Sequence, residues 1–377
     1  MSKIAKLNVE KDVLLTLNDF FKSILAKNAA DALVVPQDLP SGVSTVQTLV
    51  KDPESVISAN PFAFILPSNS ADILVKTTDN ASEDRIVAVF RPCELRAVFE
   101  LAKLHQINLD NVTLVSMDCL GTLPVPEYTE LAKKSGKGLT SKLLEEAGGQ
   151  GKTALSGVNL RSACMICEFP VIDTADISIC TIGLDLGKEI LLRANTPKGE
   201  ELLGALSLEL AEREEHKGRE GALEELAKAR KENREKLVKE IKDEVKDITS
   251  YMKVLAGCIK CHNCMNVCPI CYCKECFFES EMLSPSPKQY MDKSKKRGVV
   301  RMPLDTVLYH IGRMNHMITS CVSCGQCESA CPSKLPLLAI YHALGADVQE
   351  LFDYVAGRSL DEELPLATFK EEELEAV

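Results

Sequence analysis

Apolar positions recur along residues 10–27, EKDVLLTLNDFFKSILAK, at Val13, Leu17, Phe20, Phe21 and Ile24, and steps of three and four predict a helix packing one face on a domain. From residue 85 the pattern changes. RIVAVF is apolar without alternation, as in a strand buried on both faces, CELRAVFELAKLHQ has helical spacing, and VTLVSMD is a second buried strand. Strand, helix and strand in that order predict a β-α-β unit and with it a parallel sheet. DISICTIG and EILLRAN read as further strands of the same domain, and a helix opens after the capping residue Thr196 with Pro197 in its first turn. The α/β pattern ends near 205.

Between 206 and 250 the composition shifts to Glu, Lys, Arg, Ala and Leu, as in LEELAKARKENREKLVKEIKDEVKDI, with Leu and Ile at three- and four-residue steps. Such periodicity predicts a charged helical hairpin or strut, with a partner-docking arm as the alternative. A cysteine-rich segment fills 251–345 and contains a further amphipathic stretch, LDTVLYHIGRMNHMI. The chain closes on LDEELPLATFKEEELEAV, acidic and poor in core residues, which predicts a loose tail or a docking strand.

The 377 residues suffice for two or three domains with cores of their own. The 44 basic and 55 acidic residues leave a formal charge of −11, unsuited to a phosphate backbone, so nucleic acid is not expected as a partner. Sixteen cysteines would suit a secreted disulfide framework, but MSKIAKLNVEKD has no apolar stretch of signal-peptide type and no run is long enough to span a bilayer. The expectation is a cytoplasmic protein without a transmembrane segment. In such reducing surroundings clustered thiols are metal ligands rather than disulfides.

CIKCHNCMNVCPICYCKECFF packs seven cysteines between Cys258 and Cys276, and CVSCGQCESACP follows at Cys321. Each run contains CxxCxxCxxxCP: Cys258, Cys261, Cys264 and Cys268 before Pro269, then Cys321, Cys324, Cys327 and Cys331 before Pro332. Such spacing lets one turning loop offer three thiolates to three corners of a 4Fe-4S cube, and in two-cluster ferredoxins the fourth cysteine serves the other cube. The expected ligand sets are Cys258, Cys261 and Cys264 with Cys331, and Cys321, Cys324 and Cys327 with Cys268. Zinc is the competing reading, but its patterns pair two CxxC units, whereas here two complete four-cysteine runs each end in proline. The long stretch between the runs exceeds the linker of a small ferredoxin and predicts a mostly helical domain. Cys271, Cys273 and Cys276 are left over, either serving a further cluster or spare in a crowded loop. His262, inside the first run, either hydrogen-bonds a sulfur or sits solvated in its loop.

Outside this segment lie Cys93 in FRPCELRA, Cys119 in MDCLGT, Cys164 and Cys167 in RSACMICEFP, and Cys180 in an apolar strand. Cys93 and Cys119 follow the carboxyl ends of two predicted strands, where open α/β sheets build their sites, and Cys93 opens a helix whose positive end favours an anionic cluster. With the CxxC at 164–167 they make a candidate third 4Fe-4S site. Unrelated core or redox cysteines are the alternative, and Cys180 is read as such a core residue. GGQGKT at 148–153 ends like a P-loop, but its first glycine would fall at Glu146 after a helical pattern, so a glycine-rich turn is expected.

VAVFRPCELRAVFEL, VSMDCLGT, RSACMICEFP and ADISICTIGLDLG, followed by TPKGEELL, resemble the β subunits of coenzyme F-420-reducing hydrogenase and F-420-dependent formate dehydrogenase over about residues 80–205. The resemblance implies an FAD beside a 4Fe-4S cluster, the flavin exchanging hydride with the deazaflavin coenzyme and single electrons with the iron–sulfur chain. The family's cysteine motifs fall on Cys93, Cys119, Cys164 and Cys167. Phe90 and Arg91 stand where the family has glycine and threonine before Pro-Cys, and Arg91 is either a partner for the flavin pyrophosphate or an ordinary surface arginine. The family's amino-terminal ferredoxin motif is missing. The carboxyl-terminal runs are similar instead to those in the iron–sulfur subunit of heterodisulfide reductases.

The expected fold is an α/β flavin/iron–sulfur domain plus a mostly helical dicluster ferredoxin domain. Its parts are an amino-terminal α/β part at 1–80, the β-subunit-like FAD and 4Fe-4S domain at 81–205, the hairpin or strut at 206–250, the dicluster domain at 251–345, and a helix with an acidic tail at 346–377. The resemblance implies an oxidoreductase subunit passing electrons between a catalytic dehydrogenase or hydrogenase partner and an FAD that exchanges hydride with a soluble carrier, F-420 or NAD(P). A flavin-free adaptor linking a dehydrogenase to heterodisulfide-reductase-like subunits is the alternative, and a zinc-stabilised scaffold a third reading.

Overall fold

The computed structural model describes residues 2–79, 83–136, 138–148, 152–213, 217–280, 283, 286–298 and 305–367. Part of the GGQGKT turn and the last ten residues of the acidic tail lie outside these. The chain divides into two compact units, one reaching Glu235 and including Gly357–Glu362, the other formed by Lys236–Ala356 with the residues after Glu362.

The first unit runs β1 (Ser2–Asn8), α1 (Val13–Ala26), β2 (Ala32–Asp38), β3 (Thr45–Val50), α2 (Asp72–Thr78), β4 (Ile86–Phe90), α3 (Pro92–Lys103) and β5 (Val112–Met117). It continues through α4 (Val125–Ser135), α5 (Leu139–Ala147), the two-residue strands β6 (Ala154–Leu155) and β7 (Val158–Asn159), α6 (Ser162–Met165), β8 (Ile177–Cys180), β9 (Glu189–Ala194), α7 (Pro197–Ala205), β10 (Ala211–Arg213) and α8 (Lys217–Glu244). Eight strands form one sheet in the order β10-β1-β9-β8-β5-β4-β2-β3. The inner strands β2, β4, β5 and β8 are parallel, with Ile86 of β4 opposite Val112 of β5, and the pairs toward both edges are antiparallel.

Every residue of β4 is buried, which is why RIVAVF shows no alternation. α1 buries Val13, Leu17, Phe20, Phe21 and Ile24 in the core, and Cys180 is buried in β8. Thr196 caps α7 by accepting from the Gly199 N–H. The apolar pattern ends near 205, but the compact unit does not. β10 pairs with β1, and the first half of α8 buries Arg219, Leu226 and Arg230. The parallel run of β4 and β5 has one consequence for function: it sets Arg91, Pro92 and Cys93 beside Cys119 at the carboxyl ends of adjacent strands.

The second unit is helical: after the end of α8 come α9 (Ile248–Val254), α10 (Asn263–Asn266), α11 (Pro287–Arg297), α12 (Thr306–Met317), α13 (Gln326–Ser329) and α14 (Leu337–Leu351). Its interior is formed by Tyr309, Met317, Leu337, Leu338, Ile340 and Tyr341. Gly312 lets α12 close on Phe278, since a Cβ there would come within 2.5 Å of the ring. No helix among the described residues is long and apolar enough to cross a membrane.

Candidate metal centres

The two cysteine runs fold into the same turn twice. Lys260 and His262 adopt positive φ after Cys258, as Ser323 and Gly325 do after Cys321, and a one-turn helix follows each, α10 and α13. Left-handed residues two and four places after the first cysteine curl the chain around its thiols. Past each proline the chain turns again, with Cys271 N–H donating to the Cys268 carbonyl and Lys334 N–H to that of Cys331, both at 3.1 Å.

The fourth cysteine of each run faces the other. Cys258 has Cys264, Cys331 and Cys261 as its charged neighbours. Cys268, Cys321, Cys324 and Cys327 line one small cavity together with Arg313 and Tyr341. Burial pushes the thiols of Cys258, Cys321 and Cys327 above their ordinary range, Cys321 to about 12, and the neighbouring sulfurs add to each rise. Buried thiolates at such density require a cation, which a metal supplies because a coordinated thiol is deprotonated outright. Two complete four-cysteine runs suit 4Fe-4S cubes, which take their thiolates at separate corners.

The surplus cysteines part company. Cys271 donates to the sulfur of Cys268 and, with Arg313, holds Cys268 at about 6 despite its burial. Cys276 lies 3.6 Å from the Met265 sulfur, and Cys273 is exposed. His262 stacks on Tyr309 with ring centres 4.6 Å apart and an interplanar angle of 8°, its Nε2 buried without a hydrogen-bond partner among the described residues.

α12 supplies instead the polar contacts that the sequence reading passed over. The Tyr309 hydroxyl lies 3.4 Å from the Cys264 sulfur. An arginine has no acceptor, so the Tyr341 hydroxyl accepts from Nη1 of Arg313 at 3.1 Å, and it also lies 2.9 Å from Nδ1 of His310. Nε2 of the same ring lies 3.4 Å from the sulfur of Cys258. Burial, with Arg313 and His262 nearby, pulls the His310 pKa down to about 4 and keeps the ring neutral.

In the first unit Cys93 and Cys119 flank Arg91 at the carboxyl ends of β4 and β5, and Cys119 is also a neighbour of Cys167. Arg91 caps α3, with Glu94 accepting its backbone N–H at 3.1 Å. Its guanidinium points inward: Nη2 donates to the Ala63 carbonyl and Nη1 lies 3.7 Å from the Cys119 sulfur. Burial works against that charge, but Cys119, Glu94 and Cys93 around it hold the arginine above its ordinary pKa. Arg91 is thus buried rather than a surface arginine. Its two terminal nitrogens meet the Ala63 carbonyl and the Cys119 sulfur.

Cys164, on α6, accepts from the Thr122 N–H at 3.3 Å, and Gly121 runs so close that a Cβ would sit 3.2 Å from that of Cys164. Burial pushes the Cys167 thiol up, Arg230 and Arg96 oppose this, and Cys119 adds to the rise. α8 straps this region. Arg230 donates to the carbonyls of Cys167 and Cys119 at 3.1 and 3.4 Å, Asn233 to that of Met165 at 3.2 Å, and Arg234 pairs with Glu168 at 2.9 Å. Arg219 anchors the helix through a buried ion pair to Asp118, which also accepts from the N–H groups of Thr181 and Ile182. Beside Arg91 opens a cavity of about 250 Å³ lined by Pro36, Gln47, Ile65, Ser68 and Lys76 among others.

Residues 253–335 match the 4Fe-4S dicluster domain family. The F-420-dependent formate dehydrogenase subunit beta of Methanocaldococcus jannaschii is 24% identical over 370 residues, 92% of this chain and 91% of that one. The F-420-dependent formate dehydrogenase 1 subunit beta of Methanococcus maripaludis is 27% identical over 371 residues, with the same coverage of each, 92% and 91%. A chain of the F-420-reducing NiFe hydrogenase complex from Methanosarcina barkeri superposes with a TM-score of 0.48 at 15% identity, covering 66% of this chain and 94% of that one. The relatives are oxidoreductase subunits, and along nearly its whole length this chain is an oxidoreductase subunit similar to them.

Proposed function

We propose that this relative of formate dehydrogenase β subunits is the cytoplasmic iron–sulfur flavoprotein subunit of a formate dehydrogenase or hydrogenase type complex. It passes electrons through 4Fe-4S clusters between a catalytic partner subunit and an FAD that exchanges hydride with a soluble carrier, F-420 or NAD(P). The observation that carries the reading is the crossed arrangement of two cysteine runs within a match to the dicluster family, in a chain aligned from end to end with the β subunits. Cys258, Cys261, Cys264 and Cys331 would hold one cluster, Cys321, Cys324, Cys327 and Cys268 a second, and Cys93, Cys119, Cys164 and Cys167 a third.

A flavin converts two-electron hydride transfer into single-electron steps that clusters relay. The cavity beside Arg91 is the place in this chain for part of it. At about 250 Å³ it is smaller than the ~300–1,000 Å³ of ordinary ligand clefts, so it takes a portion of the dinucleotide rather than the whole. Arg91 lines that cavity and also touches Cys119, which makes it the one side chain shared by the flavin site and the third cysteine set. Lys76, the other cation there, is paired with Asp72 at 3.0 Å and stays available at the rim.

Anaerobic purification with measurement of iron, acid-labile sulfide and flavin tests the reading. All three together, with a co-purifying dehydrogenase or hydrogenase subunit, are expected. Iron and sulfide without flavin would make the chain the electron-transfer adaptor, and zinc alone would remove the redox function. Cys164→Ser is expected to slow reduction of the soluble carrier by about 10–100-fold, the usual cost of disturbing a metal's surroundings, while the carboxyl-terminal clusters stay visible by EPR. Unchanged turnover in that variant would detach the third set from electron transfer.

A further inference from the structure

We propose that Arg313, a buried cation with no carboxylate partner among the described residues, holds the cluster of Cys268, Cys321, Cys324 and Cys327 at a higher reduction potential than the cluster of Cys258, Cys261, Cys264 and Cys331, so that α12 fixes which of the two keeps an electron. The inference rests on the two-cluster reading of these eight cysteines.

Arg313 is 2% exposed and lines the same cavity as the four cysteines of the second set. Nη1 donates to the Tyr341 hydroxyl at 3.1 Å, and the guanidinium lies within hydrogen-bonding reach of the sulfurs of Cys268 and Cys271. The guanidinium lies 4.9 Å from the centre of the Tyr341 ring. No carboxylate pairs with it among the described residues; the groups that stabilise its charge are Tyr341, Cys268, Cys264 and Cys271. An arginine buried without an acid is costly unless something anionic stands beside it. A thiolate-ligated cluster meets that requirement.

The first set is served differently. It has neutral polar neighbours, Tyr309 at Cys264 and His310 at Cys258. The cation nearest its loop, Lys260, is cancelled by the carboxylate of Asp305. Reducing a cluster adds one negative charge, and a fixed positive charge in a poorly screened interior favours that state far more than a neutral donor does. One electron leaving the first cluster, which is thereby oxidised, and entering the second, which is reduced, therefore runs downhill toward Arg313. The first cluster feels Arg313 too, at Cys264 and through the relay Arg313–Tyr341–His310–Cys258, but Cys268, Cys321 and Cys327 of the second set all have Arg313 as a charged neighbour.

The test is an EPR-monitored redox titration of anaerobically purified protein whose iron and sulfide are measured first. Cys324→Ser identifies the couple that belongs to the second set by removing it. Arg313→Gln is expected to shift that couple downward by about tenfold in the ratio of reduced to oxidised cluster at fixed potential, ~59 mV for one electron, and the other couple by less. Arg313→Lys, which keeps the charge, is expected to restore most of the shift. A fully loaded Arg313→Gln protein with both couples at their wild-type positions overturns the proposal. Should Arg313→Gln fail to hold the cluster, Arg313→Lys decides: a loaded protein near the wild-type potential supports the charge, and loss of the cluster there too makes Arg313 a packing residue. Wild-type protein lacking iron would instead sink the two-cluster reading itself, an outcome visible before any variant is compared.

Discussion

In the carboxyl-terminal unit, eight thiols come from two short runs that fold into the same turn twice, each placing its positive-φ residues at the same two positions. In the amino-terminal unit, Cys93, Cys119, Cys164 and Cys167 sit on three separate stretches of chain; the parallel pairing of β4 with β5 sets two of these stretches side by side, and Arg230 of α8 holds the carbonyls of Cys119 and Cys167. One site is written into local spacing and the other into tertiary structure. The difference teaches which part of each unit comes first in folding. Around the carboxyl-terminal thiols the helices are short, α10 and α13 being four residues each, and metal ligation itself must order the loops. Around the amino-terminal set an eight-stranded sheet with a large apolar core exists whether or not the cysteines hold anything.

Removal of iron should break the symmetry of the two regions most strongly. Anaerobic chelation is expected to raise amide exchange across residues 253–335 by ~100-fold or more, while amides of β4 and β5 keep their protection, as read by hydrogen-exchange mass spectrometry. Equal loss of protection in both places would mean that the sheet, too, depends on its metal, and the contrast would be gone.

Asp118→Ala probes the opposite side. Asp118 is buried at the end of β5, accepts two backbone N–H groups at 2.7 and 2.8 Å and neutralises the buried Arg219 of α8. Its removal strands a buried cation and is expected to destabilise the first unit by about 3–5 kcal/mol in denaturant unfolding. The iron bound by the carboxyl-terminal unit should be unchanged. A loss below 1 kcal/mol would show that α8 is held by its apolar contacts, such as Leu226, rather than by this pair.

The same contrast explains what could be read from the residues in advance. The β-α-β unit was legible because RIVAVF and VTLVSMD are apolar on both faces, a pattern that few alternatives share. The dicluster segment was legible because two complete CxxCxxCxxxCP runs, each ending in proline, are a spacing that few other sites share. α8 was not. Its buried face carries Arg219 and Arg230 beside Leu226, so the side that faces protein uses the same residue types as the side that faces water, and apolar periodicity has little to report. α12 hid its role in the same way. Tyr309, His310 and Arg313 lie on one face at helical steps and are all buried, yet in sequence they read as the polar half of an amphipathic helix. Buried polar groups are chosen for their partners, and partners from distant segments leave no mark on local composition.

Arg230→Gln gives the smallest expected effect and bears most directly on the comparison. Arg230 is 4% exposed, holds the carbonyls of Cys167 and Cys119, and opposes the burial that disfavours the Cys167 thiolate. Glutamine keeps one amide donor group but loses the charge and the second arm, so about 1–2 kcal/mol of support for the third set should go, at ~1 kcal/mol per hydrogen bond lost. The expected result is a roughly tenfold lower chelator concentration for release of the amino-terminal iron, with the carboxyl-terminal iron leaving at its wild-type concentration. Arg234→Gln, which removes only the more exposed pair with Glu168, should shift release far less, because an accessible ion pair contributes little. If the two variants behave alike, α8 is a passive cover over this region. If Arg230 alone matters, the charged helix is part of the metal site, and the amino-terminal centre is assembled by a segment whose sequence gives no sign of cysteine chemistry.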